Sequence, residues 1–213
     1  LASLPDSIYE YTKNSLEVMV KAGASPDLIQ VGNEITNGML WPVAKVDPLG
    51  MENWDLLVKL LESGAKACRE ICPKAKIIIH TEKAGEWNKT KTYYNHLREL
   101  DYDVIGLSYY PMWHKAVGVL AATLDSLAVD FPDKEVMICF DDGFRGIYDT
   151  RQFFIDNGLC PTVFLAISLI GKPGYLNKDE ILELQKAGFI FQCHAWSHSD
   201  LTKFTKEELV REL

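Results

Sequence analysis

The chain has 213 residues, 47% apolar and 24% charged, which is enough to bury a full core and unlike a disordered or collagen-like composition. Twenty-two Lys and Arg against thirty Asp and Glu leave a formal charge of −8, which repels a phosphate backbone and argues against nucleic acid as a partner. No apolar run reaches the roughly eighteen residues that a membrane span needs, and five scattered cysteines do not make a disulfide framework.

In chain order, an amphipathic stretch at 7–23 leads to a short apolar run, LIQVGNE (28–34). The pattern then repeats: a helix at 52–71, KIIIHTE at 76–82, a helix at 89–100, VIGLSYYP at 104–111 and a helix at 118–131. EVMICFDDG (135–143), a helix at 150–158, TVFLAIS (162–168), a helix at 178–188 and FIFQCHAWSH (189–198) complete six strand runs. Several helices end on Gly, as helices prefer. The last, TKEELVREL, carries Thr205 as N-cap and Glu208 as its capping-box partner. Strand followed by helix, six times over, predicts an α/β fold with a parallel sheet, and apolar strands predict a sheet covered on both faces. Cys68 and Cys72, four apart on a helix, could hold half a metal site, but they read first as part of a packed helix face.

The polar residues decide between an open sheet and a barrel. No Gly-x-Gly-x-x-Gly or phosphate loop follows a strand. Asn33 and Glu34, His80 and Glu82, Ser108 to Tyr110, Asp141 and Asp142, and His194 with His198 all fall at C-terminal strand ends, the active-site rim of a (β/α) barrel. Trp41, Trp87, Tyr109, Tyr110, Trp113 and Trp196 crowd the same loops and offer flat faces on which sugar rings stack, or plugs for a barrel mouth. The expectation is an incomplete TIM-type barrel of about six βα units, with open sheet edges that could pair with another chain.

VGNEITNGMLWP places Glu34 at a strand end, where burial can fit a carboxyl to donate a proton. With PDLIQ before it, and LLESGAKA and DYDVIGLSYYPMWH after it, this stretch resembles the family 53 glycoside hydrolases, the arabinogalactan endo-β-1,4-galactanases, from about residue 4 to 136. The resemblance implies a retaining (β/α)8 enzyme with Glu34 as general acid/base and Asn33 on the sugar 2-OH. Trp41, Tyr109, Trp113 and His114 would line the galactan cleft. The family's nucleophilic Glu has no counterpart at the end of KEVMICFDDG, where Asp141 stands close to the required place.

CFDDG and QCHAWSH put two carboxylates and two imidazoles at strand ends, a ligand set that leaves positions open for water and substrate. The stretch from about 135 to 213 resembles the NodB-homology polysaccharide deacetylases, carbohydrate esterase family 4. That resemblance makes Asp141 the base and Asp142, His194 and His198 the ligands of a divalent metal, usually zinc; Ala195 departs from the usual Ser or Thr. The sequence thus reads as 1–135 galactanase-like and 136–213 deacetylase-like, a chimera or a fragment that looks cut at both ends. It implies a hydrolase acting on polysaccharide, galactan or an acetylated glycan, secreted or at the cell surface, with the deacetylase half the better preserved. A galactanase as the main activity, or a non-catalytic glycan-binding module, stands as the alternative.

Overall fold

The computed structural model describes residues 3–212 apart from 112 and 115; Leu1 and Leu213, at the two ends of the sequence reading, lie outside the described residues. Along the chain run α1 (Leu4–Lys21), β1 (Leu28–Gln30), β2 (Gly38–Met39), β3 (Ala44–Lys45), α2 (Trp54–Ile71), β4 (Lys76–Thr81), α3 (Trp87–His96) and β5 (Val104–Ser108). They are followed by α4 (Val117–Asp130), β6 (Glu135–Phe140), α5 (Gly146–Asp149), α6 (Arg151–Asp156), β7 (Thr162–Leu165), α7 (Lys178–Lys186), β8 (Ile190–Cys193) and α8 (Lys206–Glu212). The class is α/β, with six parallel strands that make up an incomplete (β/α) barrel. Among the described residues no helix is long and apolar enough to cross a membrane.

Two compact units make up the chain: Leu1–Leu107 with Ala122–Val136, and Ser108–Ala121 with Met137–Leu213. Residues 108–121, which the sequence reading groups with the first 135, cluster with the second unit.

In the first unit β4 pairs in parallel with β1 on one side, Ile29 against Ile77, and with β5 on the other, His80 against Gly106. β4 and β5 are buried along nearly their whole length, which is why they read as continuous apolar runs rather than alternating ones. α1 starts on a capping box in which Ser3 and Asp6 satisfy each other's backbone N–H groups. α2 buries Leu57, Leu60, Leu61, Ala65 and Cys68 on one stripe. Gly64 on that stripe faces the end of β1, where an added Cβ would lie 2.8 Å from Val31 Cγ1.

In the second unit β7 pairs in parallel with β6, Phe140 against Val163, and with β8, Val163 against Phe191. Phe154 of α6 is fully buried and meets Phe140 and Phe189 edge-on at centroid distances of 5.5 and 5.8 Å. α7 begins on a capping box between Asn177 and Glu180. Thr205 and Glu208 cap α8 as its sequence implies, with Thr205 N–H donating to Glu208 Oε2 at 2.8 Å. The helix expected at 150–158 is found as α6, with the single-turn α5 just before it where no helix was expected, and a β2–β3 hairpin stands where no strand was expected.

Candidate functional site

Each unit gathers one group of the residues singled out above. In the first, β1 stops at Gln30, earlier than its apolar run suggests, and Asn33 and Glu34 sit in the bend beyond it. Glu34 is half-buried and takes left-handed backbone angles, φ 49° and ψ 46°, before a 3-10 turn over Ile35–Asn37. A non-glycine residue adopts that region only when neighbours hold it there. One holder is His80 on β4, whose Nδ1 accepts the Glu34 amide N–H at 3.2 Å, so the buried ring carries its proton on Nε2. A second is Thr36, whose hydroxyl donates to Glu82 Oε2 at 2.6 Å and accepts the Glu82 amide at 3.3 Å. The carboxyl-bearing turn is thereby fastened to the end of β4 at two points.

Asn33 Oδ1 accepts from Gln30 Nε2 at 2.9 Å, leaving the Asn33 amide hydrogens directed elsewhere. Trp41, in the β2–β3 hairpin, is 56% exposed; its indole N–H donates to the Asn37 carbonyl and Lys45 Nζ lies 4.5 Å from its ring centroid. The hairpin crosses itself closely at Gly38, where a Cβ would stand 2.0 Å from the Ala44 carbonyl oxygen.

In the second unit β6 ends at Phe140, and strand alternation sends the next two side chains to different neighbours. Asp141 Oδ2 accepts from the Tyr110 hydroxyl at 2.6 Å. Asp142 turns to the histidines: its Oδ1 lies 3.2 Å from His198 Nε2 and 3.5 Å from His194 Nε2. One ligand atom from each of the three falls within 4.8 Å of the others. Asp142 Oδ1 is buried yet accepts no hydrogen bond of acceptable geometry among the described residues. A buried carboxylate oxygen without a donor, facing two imidazole nitrogens, is the donor set that a divalent cation fits. The backbone is held to this purpose, since Asp142, Ala195 and His198 all have φ between 58° and 65°.

The four aromatic and histidine residues expected to line a sugar cleft are divided between the two units. Trp41 lies in the first unit and Tyr109, Trp113 and His114 in the second. Tyr109 is fully buried, with its amide on the Cys139 carbonyl and its ring 5.9 Å from Phe140, so it has no surface to offer a sugar. His114 is half-buried and its Nδ1 accepts the Tyr110 amide at 3.1 Å. Trp113 stands out at 64% exposure. His80 as the tether of Glu34 and Tyr110 as the partner of Asp141 are roles the sequence did not reveal, although both residues lie on its list of strand ends.

Comparison with known proteins gives this geometry a context. The model of glycosyl hydrolase family 53 matches residues 1–142, two-thirds of the chain. The chain belongs to glycosyl hydrolase family 53. Among its family 53 relatives, the probable arabinogalactan endo-β-1,4-galactanase A of Aspergillus flavus is 33% identical over 92% of this chain and 57% of its own length. The arabinogalactan endo-β-1,4-galactanase of Humicola insolens is 33% identical over 56% of this chain and 36% of its own. The solved Ignisphaera aggregans GH53 catalytic domain superposes over 87% of this chain and 44% of that one, with 27% identity and a TM-score of 0.56. The chain thus spans between about a third and just over half of these relatives' length. A polysaccharide deacetylase model matches residues 128–213, overlapping the family 53 match over 128–142, the segment that holds β6. Taken together, the comparisons back the galactanase reading more strongly than the deacetylase reading that the sequence placed first.

Proposed function

We propose that the protein is an endo-β-1,4-galactan hydrolase of family 53, working outside the cell, with Glu34 as its general acid/base. The family match over residues 1–142 supports this reading, and the fastening of Glu34 by His80 and Thr36 gives it a physical basis. A catalytic carboxyl must be held against its leaving group to act, and a left-handed turn tied at two points does that. Glu34 would protonate the departing glycosidic oxygen, and the Asn33 side-chain amide would donate to the sugar 2-OH. A retaining mechanism needs a second carboxylate about 5 Å away. The residue that follows β6 is Asp141, one methylene shorter than the Glu that the family resemblance calls for. Replacing Glu34 by Gln keeps the shape and removes the proton, so release of reducing ends from β-1,4-galactan should fall while galactan binding persists. Equal rates for the two proteins would overturn the reading.

The Asp142–His194–His198 cluster favours a second reading, a metal-dependent esterase centre acting on an acetylated glycan. Asp142 Oδ1 and the two Nε2 atoms would hold a divalent cation, zinc being the usual one for such a set. Bound there, the cation supplies Lewis-acid polarisation of an acetyl carbonyl. Asp141, steadied by Tyr110, is the carboxylate available to take a proton from the attacking water.

A further inference from the structure

Trp113 and His114, which family 53 resemblance assigns to galactan, cluster with the second unit, as does Tyr110. Hydrogen bonds tie these three residues to one another and to Asp141. The amides of Trp113 and His114 donate to the Tyr110 carbonyl at 2.9 and 2.8 Å, the Tyr110 amide donates to His114 Nδ1, and the Tyr110 hydroxyl binds Asp141. Trp113 is therefore fixed relative to a carboxylate of the candidate centre. Its ring touches Tyr110 at a centroid distance of 5.2 Å and Phe144 at 6.2 Å, inclined at 65° and 85°. Neither neighbour lies flat on the indole.

Phe144, two residues after Asp142, is itself braced. It lies nearly parallel to Tyr175 at 5.0 Å, and the two residues form an antiparallel bridge flanked by Arg145 N–H to the Gly174 carbonyl and Leu176 N–H to the Gly143 carbonyl, both 2.9 Å. A rigidly mounted indole with an open face beside a carboxylate is a poor seat for an anion and a good one for the C–H face of a neutral pyranose.

We propose that Trp113, backed by Tyr110, Phe144 and Tyr175, is the sugar-stacking subsite of the Asp142–His194–His198 centre and holds a pyranose ring of an acetylated glycan beside Asp141. This rests on the metal-centre reading and adds to it a sugar-binding face, one assembled from both halves of the sequence.

The test is calorimetry on the full chain, loaded with zinc and titrated with N-acetylchitopentaose, and separately with galactopentaose. Trp113→Ala should weaken the acetylated probe by about tenfold or more while Trp113→Phe, which keeps a flat ring, loses about threefold or less. Zinc affinity should be the same in both variants. Zinc binding with undiminished sugar affinity in Trp113→Ala would refute the subsite and leave the metal centre standing. Failure of the wild-type chain to bind zinc would overturn the metal centre and the subsite with it. Loss of galactopentaose affinity alone, with no binding of the acetylated probe, would return Trp113 to a galactan role and refute the assignment.

Discussion

Gly106 lies in the buried strand β5 directly across from His80, the residue that accepts the Glu34 amide. A Cβ at position 106 would stand 2.8 Å from His80 Cδ2, 2.8 Å from Ile78 Cγ2 and 3.3 Å from His80 Cβ. Real Cβ atoms do not come that close, and both obstacles are buried side chains on β4 with little room to retreat. Gly106 does not have positive φ, so sterics alone set the sign of Gly106→Ala. Overpacking of this kind costs ~1–3 kcal/mol, and the lower chain entropy of unfolded Ala returns ~0.5–1 kcal/mol. The expected net loss is ~1–2 kcal/mol, equivalent to a fall in Tm of ~2–8 °C for a chain of this size. Urea unfolding should show a lower midpoint with an unchanged slope, because the surface exposed on unfolding is the same. In an amide NMR spectrum the Glu34 resonance should move more than those of residues distant from His80. A variant as stable as the parent, or more stable, would refute the packing argument and with it the view that Gly106 makes space for His80.

Three further outcomes follow from the structure. Zinc should bind one-to-one, and His194→Ala and Asp142→Ala should each weaken it by about a hundredfold or more, since each removes one of three ligands; equal affinity in either variant would place the ion elsewhere. An Ellman titration should find Cys160 and Cys193 fast and Cys68, Cys72 and Cys139 slow, because the first two are exposed and the others buried, with burial pushing the Cys68 thiol up to about 11; five equally fast thiols would contradict the packing of α2 and β6. At Glu180 desolvation works to raise the carboxyl, but the Asn177 amide and the Arg145 guanidinium outweigh it and hold the group below the usual glutamate range. Its stabilisation is therefore present above the unfolded-state value and lost as pH falls through the lower folded-state value, so Glu180→Gln should flatten the acid limb of a stability–pH curve; an unchanged limb would count against that hydrogen-bonding account.

Much of the framework was legible because apolar runs such as KIIIHTE and VIGLSYYP are buried on both sides and leave no doubt about strand. Thr205 and Glu208 announced a helix start for an equally local reason. What remained hidden depended on register and backbone twist. Tyr109 and Tyr110 are adjacent at a strand end, and alternation requires that they face opposite ways. Only the bond from the Tyr109 amide to the Cys139 carbonyl decides that Tyr109 goes to the core and Tyr110 to Asp141. Of the six non-glycine residues with positive φ among those described, Glu34, Asp142, Ala195 and His198 lie at the candidate sites. None of the four is a glycine, so the usual sequence mark of a left-handed turn is missing from these positions. The early end of β1 is hidden likewise, since Val31 is apolar and buried yet lies beyond the strand.

The most direct test of the galactanase account is the rate at which the full chain releases reducing ends from β-1,4-galactan, measured beside Glu34→Gln under the same conditions. General acid–base catalysis contributes about 10²–10⁴-fold, so the account predicts measurable release by the parent, a drop of at least about a hundredfold in kcat for the variant, and a nearly unchanged KM. Galactan left intact by the parent chain, or cut equally by the variant, would contradict it.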